Sequence, residues 1–139
     1  MRLIAIDFGT KKSGIAISDP LKIIAQPLKT IFYDNLNFSY IANEIKSIIN
    51  EYNPIEKIIL GITKNIDNSI SNIGKIIFQF YQFLQKEIPN IPIILFDEKY
   101  STKKSKEVMT MMKLSIKQKK EKKDAIAAQK ILEDYMDRY

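Results

Sequence analysis

Two short apolar runs open the chain, and the segment between them is too short to let them lie far apart. Residues 2–8 and residues 14–18 are rich in Ile, Leu and Ala, and glycines bound the segment that joins them. This pattern predicts a β-hairpin of buried strands. Asp7 interrupts the first strand, and burying a carboxylate is costly unless a cation meets it. The opening therefore predicts a cation beside the first strand.

The joining turn contains the residue types that bind phosphate. Its glycines let the backbone turn tightly and approach a ligand closely. Thr10 and Ser13 offer hydroxyl groups, while Lys11 and Lys12 offer positive charges suited to phosphate. Together with Asp7, this turn is predicted to bring a metal ion and a phosphate group together.

Hydrophobic spacing divides the rest of the chain into further strands and helices. Strands are predicted at residues 27–33, 57–62 and 93–96, and helices at residues 38–52, 70–86, 102–113 and 124–138. Residues 114–123 are dense in lysine and fit neither pattern clearly. Three antiparallel strands followed by αβ units predict an α/β fold, with a mixed five-stranded sheet flanked by helices. We found no internal repeat or long linker, so residues 1–139 are predicted to form a single domain.

The residue types that are missing restrict the chemistry. The chain has no Cys and no His. Disulfides, thiolate nucleophiles, thiolate or imidazole zinc sites and Ser-His-Asp triads are therefore excluded. An enzyme of this composition depends on carboxylates, lysines, hydroxyls and bound metal. Sites made of oxygen ligands alone favour Mg²⁺ or Mn²⁺.

The charge balance favours a polyanionic partner. The chain has 22 Lys and Arg against 16 Asp and Glu, a formal net charge of +6. Basic proteins attract nucleic acid, although a composition rich in Ile, Lys and Asn explains a lysine excess equally well. No stretch has the length of a membrane span, and the N-terminus lacks the pattern of a signal peptide. We therefore expect a cytoplasmic protein that does not bind membranes.

Three carboxylates from distant parts of the chain are placed to meet at one edge of the sheet. Asp7 lies near the end of the first strand, Glu98 follows the apolar run at residues 93–96, and Asp124 is predicted to open the last helix. Ligands of such sheets gather at the C-terminal ends of central strands. Carboxylates that lie close together repel unless a cation neutralises them, and a divalent metal can do so while acting on a phosphoryl group. The set favours metal-dependent phosphodiester chemistry.

Each of these residues also has a purely structural explanation. Asp124 could cap a helix N-terminus, a common use of aspartate. Glu98 could be a polar residue leaving a strand, and Asp7 could pair with a lysine. The lysine runs at residues 103–104 and 117–123 favour solvated faces over phosphate-binding arms.

Four motifs, taken together, resemble one family. They are residues 6–19 (IDFGTKKSGIAISD), 61–67 (GITKNID), 97–102 (DEKYST) and 123–132 (KDAIAAQKIL). On these motifs, which follow the family's order and span nearly the whole chain, the sequence resembles the bacterial YqgF family. That family has an RNase H-like fold, and its members are described as candidate Holliday junction resolvases and candidate pre-16S rRNA nucleases.

The resemblance implies a role for particular side chains. Asp7, Glu98 and Asp124 would be the catalytic carboxylates that bind Mg²⁺ or Mn²⁺, the same three that the sequence pattern singles out. The nucleic-acid site would be lined by Lys11, Lys12, Asn65, Lys99 and Thr102. Thr63, Asn68 and Lys99 depart from the family's usual proline, glycine and arginine. Lysine keeps the charge of arginine but loses its bidentate geometry.

The leading functional prediction is a metal-dependent nuclease that acts in 5′-end processing of pre-16S rRNA. Cleavage of Holliday junctions is the alternative, and symmetric cutting of a junction would require two active sites and hence a dimer. A non-catalytic RNA-binding protein ranks lower. A phosphotransferase of the actin-like class ranks low, because the chain has only four glycines and one predicted domain. The expected partner is structured RNA or branched DNA, bound by a monomer or weak homodimer.

Overall fold

The computed structural model describes residues 1–62, 72–97 and 116–138. Its strands are β1 (Arg2–Phe8), β2 (Lys12–Ser18), β3 (Ala25–Phe32), β4 (Ile55–Ile62) and β5 (Ile93–Asp97). Its helices are α1 (Phe38–Tyr52), α2 (Asn72–Glu87) and α3 (Ile116–Arg138). Within these ranges no helix combines the length and the apolar content that crossing a bilayer requires.

The five strands form one mixed sheet in the order β3-β2-β1-β4-β5. β1 pairs antiparallel with β2, and β2 pairs antiparallel with β3. β4 and β5 continue the sheet in parallel with β1. The predicted mixed five-stranded sheet is therefore confirmed, with β1 at its centre.

Both faces of the sheet are covered, which explains why β1 is apolar on both sides. Ile4 and Ile6 belong to a buried cluster that includes residues of α1 and α2. Leu3 and Ala5 belong to a second cluster that includes residues of α3. Asp7 continues the row of Leu3 and Ala5, so strand alternation places it on the α3 face.

The first two helices follow the predicted apolar spacing. α1 occupies the residues predicted for it, and Asn37 caps it by accepting the backbone N–H of Tyr40 at 3.1 Å. In α2 the side chains of Ile77, Phe80 and Leu84 are buried. These residues share one face of the helix because they recur at intervals of three and four.

The last helix departs from the prediction. α3 begins at Ile116, so Asp124 lies inside the helix and does not open it. The explanation of Asp124 as an N-cap is therefore wrong. Lysine, glutamine and glutamate, which fill residues 117–123, are good helix formers even where no apolar stripe marks a helix. The helix predicted at residues 102–113 lies outside the described residues.

The buried face of α3 follows the spacing of its apolar residues. Ala128, Ile131, Leu132 and Tyr135 are buried against the sheet. The Gln129 side-chain amide donates to the carbonyl oxygen of Ala25 at 3.1 Å, which joins α3 to the edge strand β3. These contacts fix the position of α3 along the sheet, and with it the position of Asp124.

Candidate active site

Gly14 brings Asp7 and Asp124 together. Asp7 is partly buried and lies opposite Gly14 in the antiparallel register of β1 and β2. A Cβ atom built on Gly14 would lie 1.8 Å from the carbonyl oxygen of Asp124 and 2.6 Å from the amide nitrogen of Ala125. The backbone of α3 therefore rests directly on Gly14. Since paired strand residues are about 4.5–5.5 Å apart at Cα, the two aspartates are neighbours across one glycine.

The position of Gly14 corrects its predicted role. It was expected to bound the turn, but β2 begins at Lys12 and Gly14 lies inside the strand. A glycine inside a strand often marks a place where another backbone approaches closely. The three alanines at residues 125, 127 and 128 are all buried, as the close approach of this helix requires.

Lys12 forms an ion pair with Asp124. Its Nζ lies 3.1 Å from Asp124 Oδ2, and the two side chains are 42% and 21% exposed. Oδ2 is itself buried and accepts no hydrogen bond from the described part of the chain. The distance is that of an ion pair, but the angles are not those of a hydrogen bond. Asp124 thus has a buried carboxylate oxygen that is paired by charge and accepts no hydrogen bond within the described structure.

The buried hydroxyl of Tyr33 lies within the electrostatic influence of both aspartates. Its hydroxyl donates to the carbonyl oxygen of Gly9, and the Ser13 hydroxyl lies 2.8 Å from it as the donor in return. Burial raises the pKa of Tyr33 above its ordinary value, and the hydrogen bond from Ser13 opposes that rise. The negative charges of Asp124 and Asp7 raise the pKa further. Both carboxylates therefore act on the same buried phenol.

Tyr33 and Gly9 also fix the turn between β1 and β2. The Tyr33 amide donates to the carbonyl oxygen of Lys11 at 3.0 Å. A Cβ on Gly9 would lie 2.6 Å from the carbonyl oxygen of Lys12, so a side chain there would open the turn. Thr10 and Lys11 are exposed at its tip. Sequence reasoning missed Tyr33, although the buried hydroxyl of Ser13 signals that a polar partner is required.

Among the predicted site residues, the structure brings together Asp7, Asp124 and Lys12, with Lys11 exposed nearby. Glu98, Asn65, Lys99 and Thr102 lie outside the described residues. The described chain contains no group of three Asp, Glu, His or Cys that could hold a metal. Asp97 ends β5 in register with Ile62, the last residue of β4. Both parallel strands therefore end at the sheet edge to which Asp7 belongs.

A family model and two relatives match this chain over nearly its whole length. Residues 1–138 match the RuvX family, described as Holliday junction resolvase. A relative from Listeria innocua, named as a candidate pre-16S rRNA nuclease, is 33% identical over 99% of this chain and 98% of its own. A relative of the same name from Lachnospira eligens is 36% identical over 99% of this chain and 97% of its own.

Two solved structures show the same fold. Thermus thermophilus RuvC in complex with a Holliday junction substrate has a TM-score of 0.61 at 13% identity, covering 99% of this chain and 95% of its own. Fowlpox virus resolvase in complex with Holliday junction DNA has a TM-score of 0.60 at 17% identity, covering 99% of this chain and 98% of its own. The predicted RNase H-like fold is confirmed. The match over nearly the whole length and the full-length relatives show that this chain belongs to the RuvX family, the YqgF family that its four motifs resemble.

Proposed function

We propose that this chain is a metal-dependent nuclease that hydrolyses phosphodiester bonds in 5′-end processing of pre-16S rRNA, as a single cytoplasmic domain. Membership of the RuvX family and the names of the full-length relatives support a nuclease. The observation that carries the proposal is the meeting of Asp7 and Asp124 across Gly14. Gly14 lets the backbone of α3 approach the sheet closely enough to bring one carboxylate beside the other.

The described residues fit a divalent cation. Asp7 and Asp124 would hold it, and Glu98 is proposed as the third ligand. Carboxylate oxygens suit Mg²⁺ or Mn²⁺, and Asp124 Oδ2 is a buried oxygen without a hydrogen bond in the described structure. When bound, such an ion supplies Lewis-acid polarisation of a phosphoryl oxygen and of an attacking water.

The lysines of the turn would position the phosphate. Lys12 stands beside Asp124 and is 42% exposed, so its ammonium group can reach a substrate oxygen without leaving the site. Lys11 is exposed one residue earlier. Asn65, Lys99 and Thr102 are proposed to extend this nucleic-acid site. The hydrogen bonds of Tyr33 to Gly9 and Ser13 would keep the turn rigid while substrate binds.

Resolution of Holliday junctions is the second candidate function. The description of the family favours it, as does the fold shared with two resolvases solved with junction DNA. Paired cuts across a junction require two active sites. Sedimentation with and without junction DNA tests this point, because a strict monomer in both conditions would exclude symmetric cutting.

One experiment separates the candidates. A pre-16S rRNA fragment and a four-way DNA junction are incubated side by side with the protein in Mg²⁺, Mn²⁺ or EDTA. We expect metal-dependent cleavage of the RNA, and its loss in Asp7→Asn. Asp137→Asn, at an exposed residue near the end of α3, is the matched control. Cleavage of the junction alone would favour the resolvase, and metal-independent binding without cleavage would favour a non-catalytic RNA-binding protein.

A further inference from the structure

Two exposed aromatic rings line one cleft beside the candidate active site. Phe32 is 64% exposed and Tyr40 is 44% exposed. Both line a cleft of about 480 Å³ that also includes Tyr33, Asp34, Asn35 and Asn37. Neither Phe32 nor Tyr40 stacks on another described ring, whereas buried aromatics such as Phe8 and Phe80 pack together. The cleft thus offers two ring surfaces to a ligand.

Phe32, at one side of the cleft, lies next to the lysine that pairs with Asp124. Phe32 is opposite Lys12 in the register of β2 and β3, and the following pair on that face is Gly14 with Thr30. Adjacent strands are about 4.8 Å apart. Phe32 is therefore one strand away from Lys12 and on the sheet face that carries Asp7 and Asp124. A chain of nucleotides with its phosphate at Lys12 would bring a neighbouring base to Phe32.

The turn that contributes Asp34, Asn35 and Asn37 to the cleft is conformationally constrained. Asn35 has φ 56° and Leu36 has φ 51°. Asparagine tolerates this left-handed region, but leucine rarely adopts it. The Leu36 side chain packs against the buried cluster beneath α1 and α2, which compensates for the unfavourable backbone. The packing holds the turn in one shape, so the cleft is formed before a ligand arrives.

We propose that this cleft binds an unpaired nucleobase of the strand being cut, an inference that rests on the proposed nuclease function. Aromatic rings stack on any base, and stacking requires that the base be free of its partner strand. The exposed Asp34 and Asn35 side chains can accept or donate hydrogen bonds at a base edge. The charge of Asp34 disfavours a phosphate in the cleft, whereas Lys11 and Lys12 favour one beside it. The substrate class is therefore a strand with an unpaired nucleotide next to the scissile phosphate.

The test measures binding separately from cleavage. Fluorescence anisotropy in EDTA compares a labelled single-stranded oligonucleotide with a blunt duplex of the same sequence, each made as RNA and as DNA. Phe32→Ala should weaken single-strand binding by about 5-fold or more and change duplex binding by less than about 2-fold. Phe32→Trp should restore the affinity. Both variants should fold, because the side chain is mostly exposed.

Phe78→Ala is the matched control, because Phe78 is 43% exposed on α2 and lines no part of the cleft. It should leave both affinities unchanged. An equal loss on single strand and duplex in Phe32→Ala, or no loss on either, would overturn the proposal. A selective loss in a protein that cleaves no substrate would retain the base site and reject the nuclease. If the protein cleaves its substrate but Phe32→Ala keeps the single-strand affinity of wild type, the nuclease function is retained and the base site is rejected.

Discussion

Lys12 Nζ lies 3.1 Å from Asp124 Oδ2, across the contact between β2 and α3. The pair joins the first residue of a strand to a helix residue that the sequence places far away. The lysine is 42% exposed, so solvent screens the attraction and the pair adds little to stability. Its main effect is to offset negative charge where Asp124 and Asp7 approach each other. A charge balance of this kind can change when a substrate or metal binds.

Loss of either aspartate should abolish activity and spare the fold. Asp7→Asn or Asp124→Asn should lower kcat on the cleaved substrate by at least about 100-fold, because each removes a proposed ligand for an ion worth several kcal/mol. Circular dichroism and thermal unfolding should stay close to wild type. Full activity in either variant, with Mg²⁺ and purified protein, would contradict the proposed site.

Lys12→Ala separates binding from stability. We expect the free energy of unfolding to change by less than about 1 kcal/mol, because the ion pair is half exposed. The slope of log Kd against log salt concentration should become shallower by about 1, since one phosphate contact is lost.

Lys46→Ala is the control for the lysine substitution. Lys46 pairs with Glu87 at 3.8 Å, between α1 and α2 on the opposite face of the sheet. Its removal should leave the salt dependence of nucleic-acid binding unchanged. The same slope for Lys12→Ala and wild type would show that Lys12 makes no phosphate contact.

Gly14→Ala should damage the fold at the site. The new methyl group would lie 1.8 Å from the Asp124 carbonyl oxygen, a backbone atom that cannot rotate away. We expect a loss of about 3 kcal/mol in unfolding free energy, the upper end of overpacking, together with lost activity. Gly9→Ala meets only the Lys12 carbonyl oxygen, at 2.6 Å, and should cost less. Urea titration of the two variants gives the comparison, and equal stability of Gly14→Ala and wild type would show that α3 does not rest on Gly14.

Tyr33→Phe should destabilise the protein and change its alkaline pH dependence. The variant leaves the buried Ser13 hydroxyl without its partner, at a cost of about 1–3 kcal/mol. The pKa of Tyr33 is raised in the folded protein, mainly by burial. Wild type should therefore lose stability as pH rises from the unfolded pKa through the folded one. Tyr33→Phe should lack that component as the pH rises above the ordinary tyrosine pKa of about 10, and parallel curves for both proteins would contradict it.

Asp19 should contribute to stability on the acid side. Its carboxylate accepts hydrogen bonds from the backbone amides of Ile24, Ile23 and Leu21, and these lower its pKa, with Ile24 contributing most. The contribution is present above the unfolded pKa and is lost as pH falls through the folded pKa. Asp19→Asn should flatten the acid decline of the melting temperature. An unchanged acid profile would show that these hydrogen bonds add nothing to folding.

The sequence by itself determined most of the elements, because their signals are local. The apolar spacing of residues 38–52 and the alternation of residues 2–8 predicted α1 and β1 with the bounds that the structure shows. A carboxylate in an apolar strand was sufficient to single out Asp7, since its cost depends only on that strand. The inward face of α3 could be read in the same way, from its intervals of three and four residues.

Only the tertiary structure decided how these parts meet. The start of α3 at Ile116 was missed, because lysine-rich helical turns carry no apolar stripe. The role of Gly14 could not be read locally, since a glycine that bounds a turn and one that admits a helix look alike in sequence. The pairing of Lys12 with Asp124 depends on the register of β1 and β2 and on the position of α3 along the sheet. Local patterns fix secondary structure, whereas contacts between distant residues place the charges of the site.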